Sequence, residues 1–245
     1  MQPNLQPVQT RDSIHDSNFP GAGYSEPLEL DRAAAQKVLR NTYLLLALTM
    51  VPTFIGALVG MATGSVVMEH PIIASLVMLG AVIGLQFAIM ANRDSALGIV
   101  LLLLMTSILG WWLGPILNVA LQLRNGVELV GYAAGGTAAI FVGMAAIAVT
   151  TKRDFSFMGK FLMVGMIALL VAMVANMFLQ IPALALTIST LAIVVFSLFL
   201  LYDLNRIVRG GETNYIVATT GVYMSLYNIF VSLLQLLMAL TGERD

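Results

Sequence analysis

The chain has 245 residues, of which 59% are hydrophobic and 10% charged, and its formal net charge is −1. This balance is too apolar for a soluble domain, which must cover its core with a polar surface. The chain contains no cysteine, which excludes disulfides, zinc–thiolate sites and iron–sulfur clusters. Its near-zero net charge and the lack of a basic tract give no indication of nucleic acid binding.

Residues 1–36 are polar and contain several prolines and glycines, so they predict a flexible cytoplasmic tail and not a cleaved signal peptide. From residue 37 onward there are seven apolar segments of roughly 20 residues, the length that a helix needs to cross a bilayer. They predict an all-α membrane protein whose membrane domain occupies residues 37–245. The predicted spans are 43–61, 72–91, 96–117, 129–150, 161–179, 183–202 and 216–240.

The positive charges are unevenly distributed between the two sides of the predicted bundle. All of the 12 lysines and arginines except Arg124 and Arg244 lie in the amino-terminal segment or in alternate connections. Because positive residues are retained in the cytoplasm during insertion, this pattern predicts a cytoplasmic amino terminus and a periplasmic carboxyl terminus.

Glycine and alanine recur at intervals of four in four of the spans. In a bilayer such rows let neighbouring helix backbones approach closely, and they predict a compact bundle. Proline lacks an amide donor, so Gly114–Pro115 predicts that the third helix ends or kinks there. The rows are Gly56 and Gly60; Gly80, Gly84 and Ala88; Gly110 and Gly114; and Gly131, Gly135, Ala139 and Gly143.

The last span carries a polar stripe on one face. Such a stripe would be unfavourable against lipid, so it predicts a last helix at or near the centre of the bundle. Two interpretations stay open: hydrogen bonds that hold helices together, or the lining of an ion path. At steps of four, three, four and three, the stripe comprises Gly221, Ser225, Asn228, Ser232 and Gln235.

Asp203, at the end of the sixth span, is the one acidic residue expected at membrane depth, because the other 12 lie in tails or connections. One interpretation is a site that exchanges protons or holds a cation, with Ser225 and Asn228 nearby on the last helix. The other is a salt bridge with Arg206 or Arg209, three and six residues further on.

Several separated motifs resemble the Bax inhibitor family of membrane proteins, and in particular its bacterial YccA branch. The resemblance covers the chain from residue 37 to the end. It implies a bundle of seven helices around a central last helix. The motifs are KVLRNTY at 37–43, LGPILN at 113–118, GGTA at 135–138, SFMGK at 156–160, MVANMFLQIPAL at 173–184 and GGETNYIVATTGVYMSLYNIFVSLL at 210–234.

The resemblance implies two different functions. The YccA branch is associated with the FtsH-type AAA protease of the bacterial inner membrane and its accessory membrane proteins, and it restrains degradation of other membrane proteins. The calcium-leak members of the family have in common a pair of acidic residues that share protons. Asp203 matches the first acid, but Ser225 stands where those members have the second.

We therefore expect a multi-pass protein of the bacterial inner membrane that binds and restrains an FtsH-type protease and so affects membrane-protein quality control. The alternatives are a pH-sensitive Ca²⁺ leak that uses Asp203 and, behind it, a secondary transporter. No HExxH or GxSxG motif and no glycine-rich nucleotide loop is present, so the sequence predicts neither an enzyme nor a cofactor or metal site.

Overall fold

The computed structural model describes residues 27–64, 69–151 and 153–241, with side chains from residue 33 onward. This part of the chain forms seven long helices, and all of them are apolar enough to cross a membrane. The prediction of an all-α, seven-span protein is confirmed. The helices are α1 Pro27–Thr63, α2 Pro71–Ala91, α3 Ala96–Leu121, α4 Gly126–Thr150, α5 Met158–Leu179, α6 Pro182–Val208 and α7 Tyr215–Thr241.

Helix α1 begins at Pro27, inside the range that the sequence assigned to the tail. The rest of that predicted tail, residues 1–26, lies outside the described residues. Within its described side chains, α1 is apolar enough to span a membrane between Ala33 and Thr63.

The last helix is the centre of the bundle. Helix α7 packs against α1, α2, α3, α4 and α6, and Val222, Tyr223 and Ile229 on it are buried. The Tyr223 hydroxyl bonds the Thr53 hydroxyl of α1 at 2.8 Å, and the Tyr227 hydroxyl donates to the Leu109 carbonyl of α3 at 3.1 Å. The central position predicted for the last helix is confirmed.

Helices α1 and α3 make the closest contact in the bundle, through glycine. A Cβ at Gly56 would collide with the Ser107 carbonyl oxygen, and one at Gly110 would collide with the Thr53 carbonyl oxygen. With hydrogen in place of Cβ, Cα–H groups can lie directly against carbonyl oxygens of the facing helix. For these two rows the predicted close approach of backbones is confirmed.

Helix α3 continues through Pro115 to Leu121, so the predicted end or kink at Gly114–Pro115 is wrong as a helix boundary. Pro115 supplies no amide for the Trp111 carbonyl one turn earlier. That carbonyl instead lies against Gly60 of α1, where a Cβ would collide with it. Tertiary packing against α1 therefore lets the helix tolerate its internal proline.

The other two glycine rows do not join helices. Among the described residues, nothing lies within 4 Å of the Cβ positions of Gly80 and Gly84 in α2, or of Gly131, Gly135 and Gly143 in α4. The prediction of close helix contacts is wrong for these rows, because their glycines point away from the bundle.

Candidate functional site

One end of the bundle collects the positive charge, and we call it the basic end. It comprises the amino-terminal turns of α1 and the connections 92–95, 151–157 and 209–214, with the adjoining helix ends. The opposite end has Arg124 as its one lysine or arginine with a described side chain. The described basic residues at the basic end are Lys37, Arg40, Arg93, Arg153, Lys160, Arg206 and Arg209.

The connection 209–214 is a tight turn held by Arg206. Gly210 has φ +74°, a left-handed conformation that favours glycine. The Arg206 carbonyl accepts from the amide of Gly211 at 2.8 Å, and its guanidinium forms a salt bridge with Glu212 at 3.0 Å. These contacts fold the turn back onto the end of α6, as expected for a Schellman-like helix end.

Asn214 joins this turn to the neighbouring connection. Its side-chain oxygen accepts from the amides of Ile216 at 2.9 Å and Val217 at 3.2 Å, which caps the start of α7. Its side-chain nitrogen donates to the Arg93 carbonyl at 2.9 Å and to the Asp94 carboxylate at 2.8 Å. One amide group therefore fixes the central helix and the 92–95 connection to each other.

A cleft of about 390 Å³ opens between these two connections. Its volume falls in the range of small-ligand sites, roughly 300–1,000 Å³. Its walls combine apolar side chains with charged and amide groups, and Asp203 is not among them. The lining residues are Arg93, Asp94, Ser95, Ala96, Ile99, Thr213, Asn214, Tyr215 and Ile216.

The third connection at the basic end, 151–157, is held by Asn205 of α6. This asparagine is buried, accepts from the Phe155 amide at 3.3 Å and donates to the Arg153 carbonyl at 3.4 Å. Hydrogen bonds from the Ser156 hydroxyl and amide lower the pKa of Asp154, and the Arg209 charge lowers it further. This carboxylate therefore favours the folded state above its unfolded pKa, and the effect disappears as the pH falls through its lowered value.

Asp203 lies one turn before Arg206 and faces the central helix. A Cβ at Gly221 would lie 2.7 Å from its Oδ2 atom, so the carboxylate packs directly against the glycine of the polar stripe. Within the described residues it makes no hydrogen bond or salt bridge. The interpretation of a salt bridge from Asp203 to Arg206 or Arg209 has no such pair among the described residues: Arg206 pairs with Glu212, and the Arg209 charge acts on Asp154.

The rest of the polar stripe makes mixed contacts. Ser225 and Ser232 are buried in the bundle. The Asn228 amide donates to the Met224 carbonyl of its own helix at 2.8 Å, and Gln235 accepts from the Ser189 hydroxyl of α6 at 3.0 Å. At Gln235 the stripe joins two helices, and at Gly221 it lies against the Asp203 carboxylate.

The sequence model of the family described as "Inhibitor of apoptosis-promoting Bax1" matches residues 35–242. The match covers all seven membrane-spanning helices. The chain belongs to the Bax inhibitor family.

Similar proteins within the family extend over most of their own length. The chain is 44% identical to the "Modulator of FtsH protease YccA" of Escherichia coli K12, over 83% of this chain and 90% of that protein. It matches the "Inner membrane protein YccA" of Escherichia coli O6:H1 to the same extent. It is 43% identical to an uncharacterized membrane protein of Vibrio cholerae, over 82% of this chain and 88% of that one.

Sequence reasoning missed the two asparagines that organise the basic end of this family member. Asn205 and Asn214 bond to backbone groups in other connections, and no spacing rule predicts such partners. The available signals were an amide group in the last turns of an apolar helix, and an asparagine directly before a helix start.

We expect Asp203→Asn to raise the midpoint of thermal unfolding at neutral pH. The Asp203 carboxyl is withdrawn from water without a hydrogen bond, which is unfavourable for its charged form, and the amide carries no charge at nearly equal volume. Unfolding of the purified protein in detergent measures the change. Asp154→Asn is the matched control and should bring no gain, since it removes an exposed acid that Ser156 stabilises.

A lower midpoint for Asp203→Asn would show instead that the charge stabilises the fold. A raised midpoint would show that the chain keeps an acid that weakens the fold, as expected for a group with a function in the membrane.

Proposed function

We propose that this protein binds an FtsH-type AAA protease and restrains its degradation of other membrane proteins. The observation that carries the proposal is the 44% identity to the modulator of FtsH protease from Escherichia coli, over nine-tenths of that protein. The relative's name describes modulation only. Binding, restraint and the accompanying accessory membrane proteins are part of our proposal.

We further propose that the basic end faces the cytoplasm, with the amino terminus cytoplasmic and the carboxyl terminus periplasmic. Seven of the basic side chains described lie at that end and one at the other, which agrees with the positive-inside rule. The contacts of Asn214 and Arg206 hold the connections of the basic end to each other and to the end of α6. Such an end suits contact with the cytosolic part of a membrane protease.

A pH-sensitive Ca²⁺ leak is the less favoured alternative. Proton sharing needs two acids close together, and position 225 is a buried serine. Asp203 stays a proposed proton site, and Ser225 replaces the second acid of the calcium-leak members.

The proposal predicts that an unassembled membrane substrate of the protease lives longer when this protein is overproduced and shorter when it is absent. Pulse-chase labelling measures the half-life, with protease abundance monitored throughout. Arg93→Glu at the basic end should weaken the effect, because it reverses an exposed charge on the proposed contact surface. Arg124→Glu, at the opposite end, is the matched control and should leave it intact.

Equal half-lives with and without the protein, at constant protease abundance, would contradict the proposed function. A retained effect in Arg93→Glu would contradict only the proposed contact surface.

A further inference from the structure

The cleft at the basic end has walls that are fixed to each other. Asn214 bonds the Arg93 carbonyl and the Asp94 carboxylate, so it joins one wall to the other. Ile216 belongs to the main hydrophobic core, and Ile99 packs against that core. The side chains of Arg93 and Asp94 are exposed. The cleft is therefore a groove with an apolar floor and a charged rim.

Arg93 brings unused hydrogen-bond donors to this cleft. Its Nε atom lies 3.6 Å from the Asp94 carboxylate, and its side chain is 52% exposed. No described residue bonds or pairs with its two terminal nitrogens. The start of α3 adds further donors, because no side chain caps it at Ser95 and its first amides have no partner within the helix. A guanidinium fork beside free helix amides is suited to binding a carboxylate.

The amino-terminal segment, residues 1–26, joins the bundle at the same end. It leads into α1 at Pro27. The Thr219 hydroxyl donates to the Thr42 carbonyl at 3.4 Å, which places α1 beside the first turns of α7, and Tyr215 of α7 lines the cleft. Helix α1 continues for about 22 Å from Thr42 to Pro27. An extended chain covers roughly 3.3 Å per residue, so a segment of this length can return to the cleft.

The segment carries a carboxylate that can reach Arg93. Its acids are Asp12, Asp16 and Glu26, and Arg11 is its one lysine or arginine. Glu26 directly precedes α1, whose start lies far from the cleft. Asp12 directly follows Arg11, which competes for its carboxylate. Asp16 remains, and the chain between it and the start of α1 extends to roughly 35 Å.

We propose that the amino-terminal segment docks in this cleft, with the Asp16 carboxylate on the Arg93 guanidinium. Phe19, three residues further on, covers the apolar floor at Ile99. The docking itself needs no second protein. Because it covers Arg93, it has a consequence that rests on the proposed function: a docked segment and the protease exclude each other at this surface.

Crosslinking between two introduced cysteines tests the docking, because the chain has no cysteine of its own. The purified full-length protein carries Ser17→Cys together with Thr213→Cys, an exposed position that lines the cleft. The control pair is Ser17→Cys with Phe157→Cys, a position of the basic end that is 77% exposed and lies outside the cleft. Peptide mass spectrometry of samples quenched at timed intervals measures the rates.

We expect the intramolecular disulfide to form at least about fivefold faster at position 213 than at position 157, because docking raises the local concentration of the segment at the cleft. Asp16→Asn and Arg93→Gln should each slow the reaction at position 213 by about threefold, the contribution of one exposed ion pair. Neither should change the rate at position 157. Asp12→Asn is the matched control and should leave both rates as they are.

Three results would overturn the proposal. Equal rates at the two positions would show that the segment has no preference for the cleft. A faster rate at position 213 that neither Asp16→Asn nor Arg93→Gln changes would show that this ion pair does not hold the segment. A crosslinked dimer would assign the cleft to a second copy of the chain. All three would leave the proposed restraint of the protease standing, because the substrate half-life tests it separately.

Discussion

Gly114→Leu is expected to disrupt the bundle strongly, because it forces two helix backbones apart. A Cβ at this position would collide with the backbone of Gly60, and a leucine carries three further carbons. Backbone cannot rotate away as a side chain can, so α1 and α3 must separate. Overpacking of this kind costs about 1–3 kcal/mol, and more where nothing can yield.

Separation of α1 and α3 would also break hydrogen bonds at the same end of the pair. The Asn118 amide donates to the Met61 carbonyl at 2.6 Å, and the Trp111 indole donates to the Thr63 hydroxyl at 2.8 Å. We expect the thermal midpoint of the purified protein to fall by about 5 °C or more. The amount of folded protein in the membrane should fall with it.

Gly135→Leu is the matched control, because it makes the same substitution in a membrane helix where no described residue lies within 4 Å of the added Cβ. It should leave the midpoint near that of the parent. If Gly135→Leu were as damaging as Gly114→Leu, leucine itself or a contact with another molecule at α4 would be responsible, and the α1–α3 contact would lose its special role.

Asn214→Ala is expected to loosen the basic end while leaving the bundle assembled. The change removes the cap of α7 and both bonds to the 92–95 connection. Loss of a cap costs about 1 kcal/mol, and each of the two bonds, one of them to the Asp94 carboxylate, contributes about 1 kcal/mol where solvent can replace it. We therefore expect a loss of roughly 3 kcal/mol in unfolding free energy.

Hydrogen exchange would locate the effect of Asn214→Ala. Amides of residues 93–98 and 215–218 should exchange faster, and those in the middle of α7 should not. Asn92→Ala is the control, because the Asn92 side chain makes one bond, to the Ala88 carbonyl of its own helix. Unchanged exchange at both segments in Asn214→Ala would mean that other contacts hold the two connections together.

The glycine rows show that their spacing in the sequence does not predict which helix faces are in contact. All four rows have the same spacing, and the spacing predicts which residues share a helix face. The spacing does not predict whether that face packs against another helix or is exposed. Gly56, Gly60, Gly110 and Gly114 lie against backbone, whereas Gly131 and Gly135 face outward, because only the packing of seven helices decides which faces are covered.

At the candidate site, too, the sequence predicted the positions of residues on their helices but not their contacts. The sequence placed Asp203 at the end of the sixth helix and the polar stripe on the seventh, and both lie there. It did not decide between Arg206 and other partners for Asp203. That choice depends on the turn at Gly210, which brings Glu212 back to Arg206 and leaves the carboxylate of Asp203 against Gly221.

The sequence by itself determined the class of the protein: seven apolar segments, a charge bias between two ends and a polar last helix. These follow from local physical rules, since each helix must satisfy its own backbone in lipid and polar groups must avoid it. Only the tertiary structure decided which glycines join helices, which asparagines hold the connections and how α3 accommodates Pro115. Those features depend on contacts between residues far apart in the chain, which no local pattern encodes.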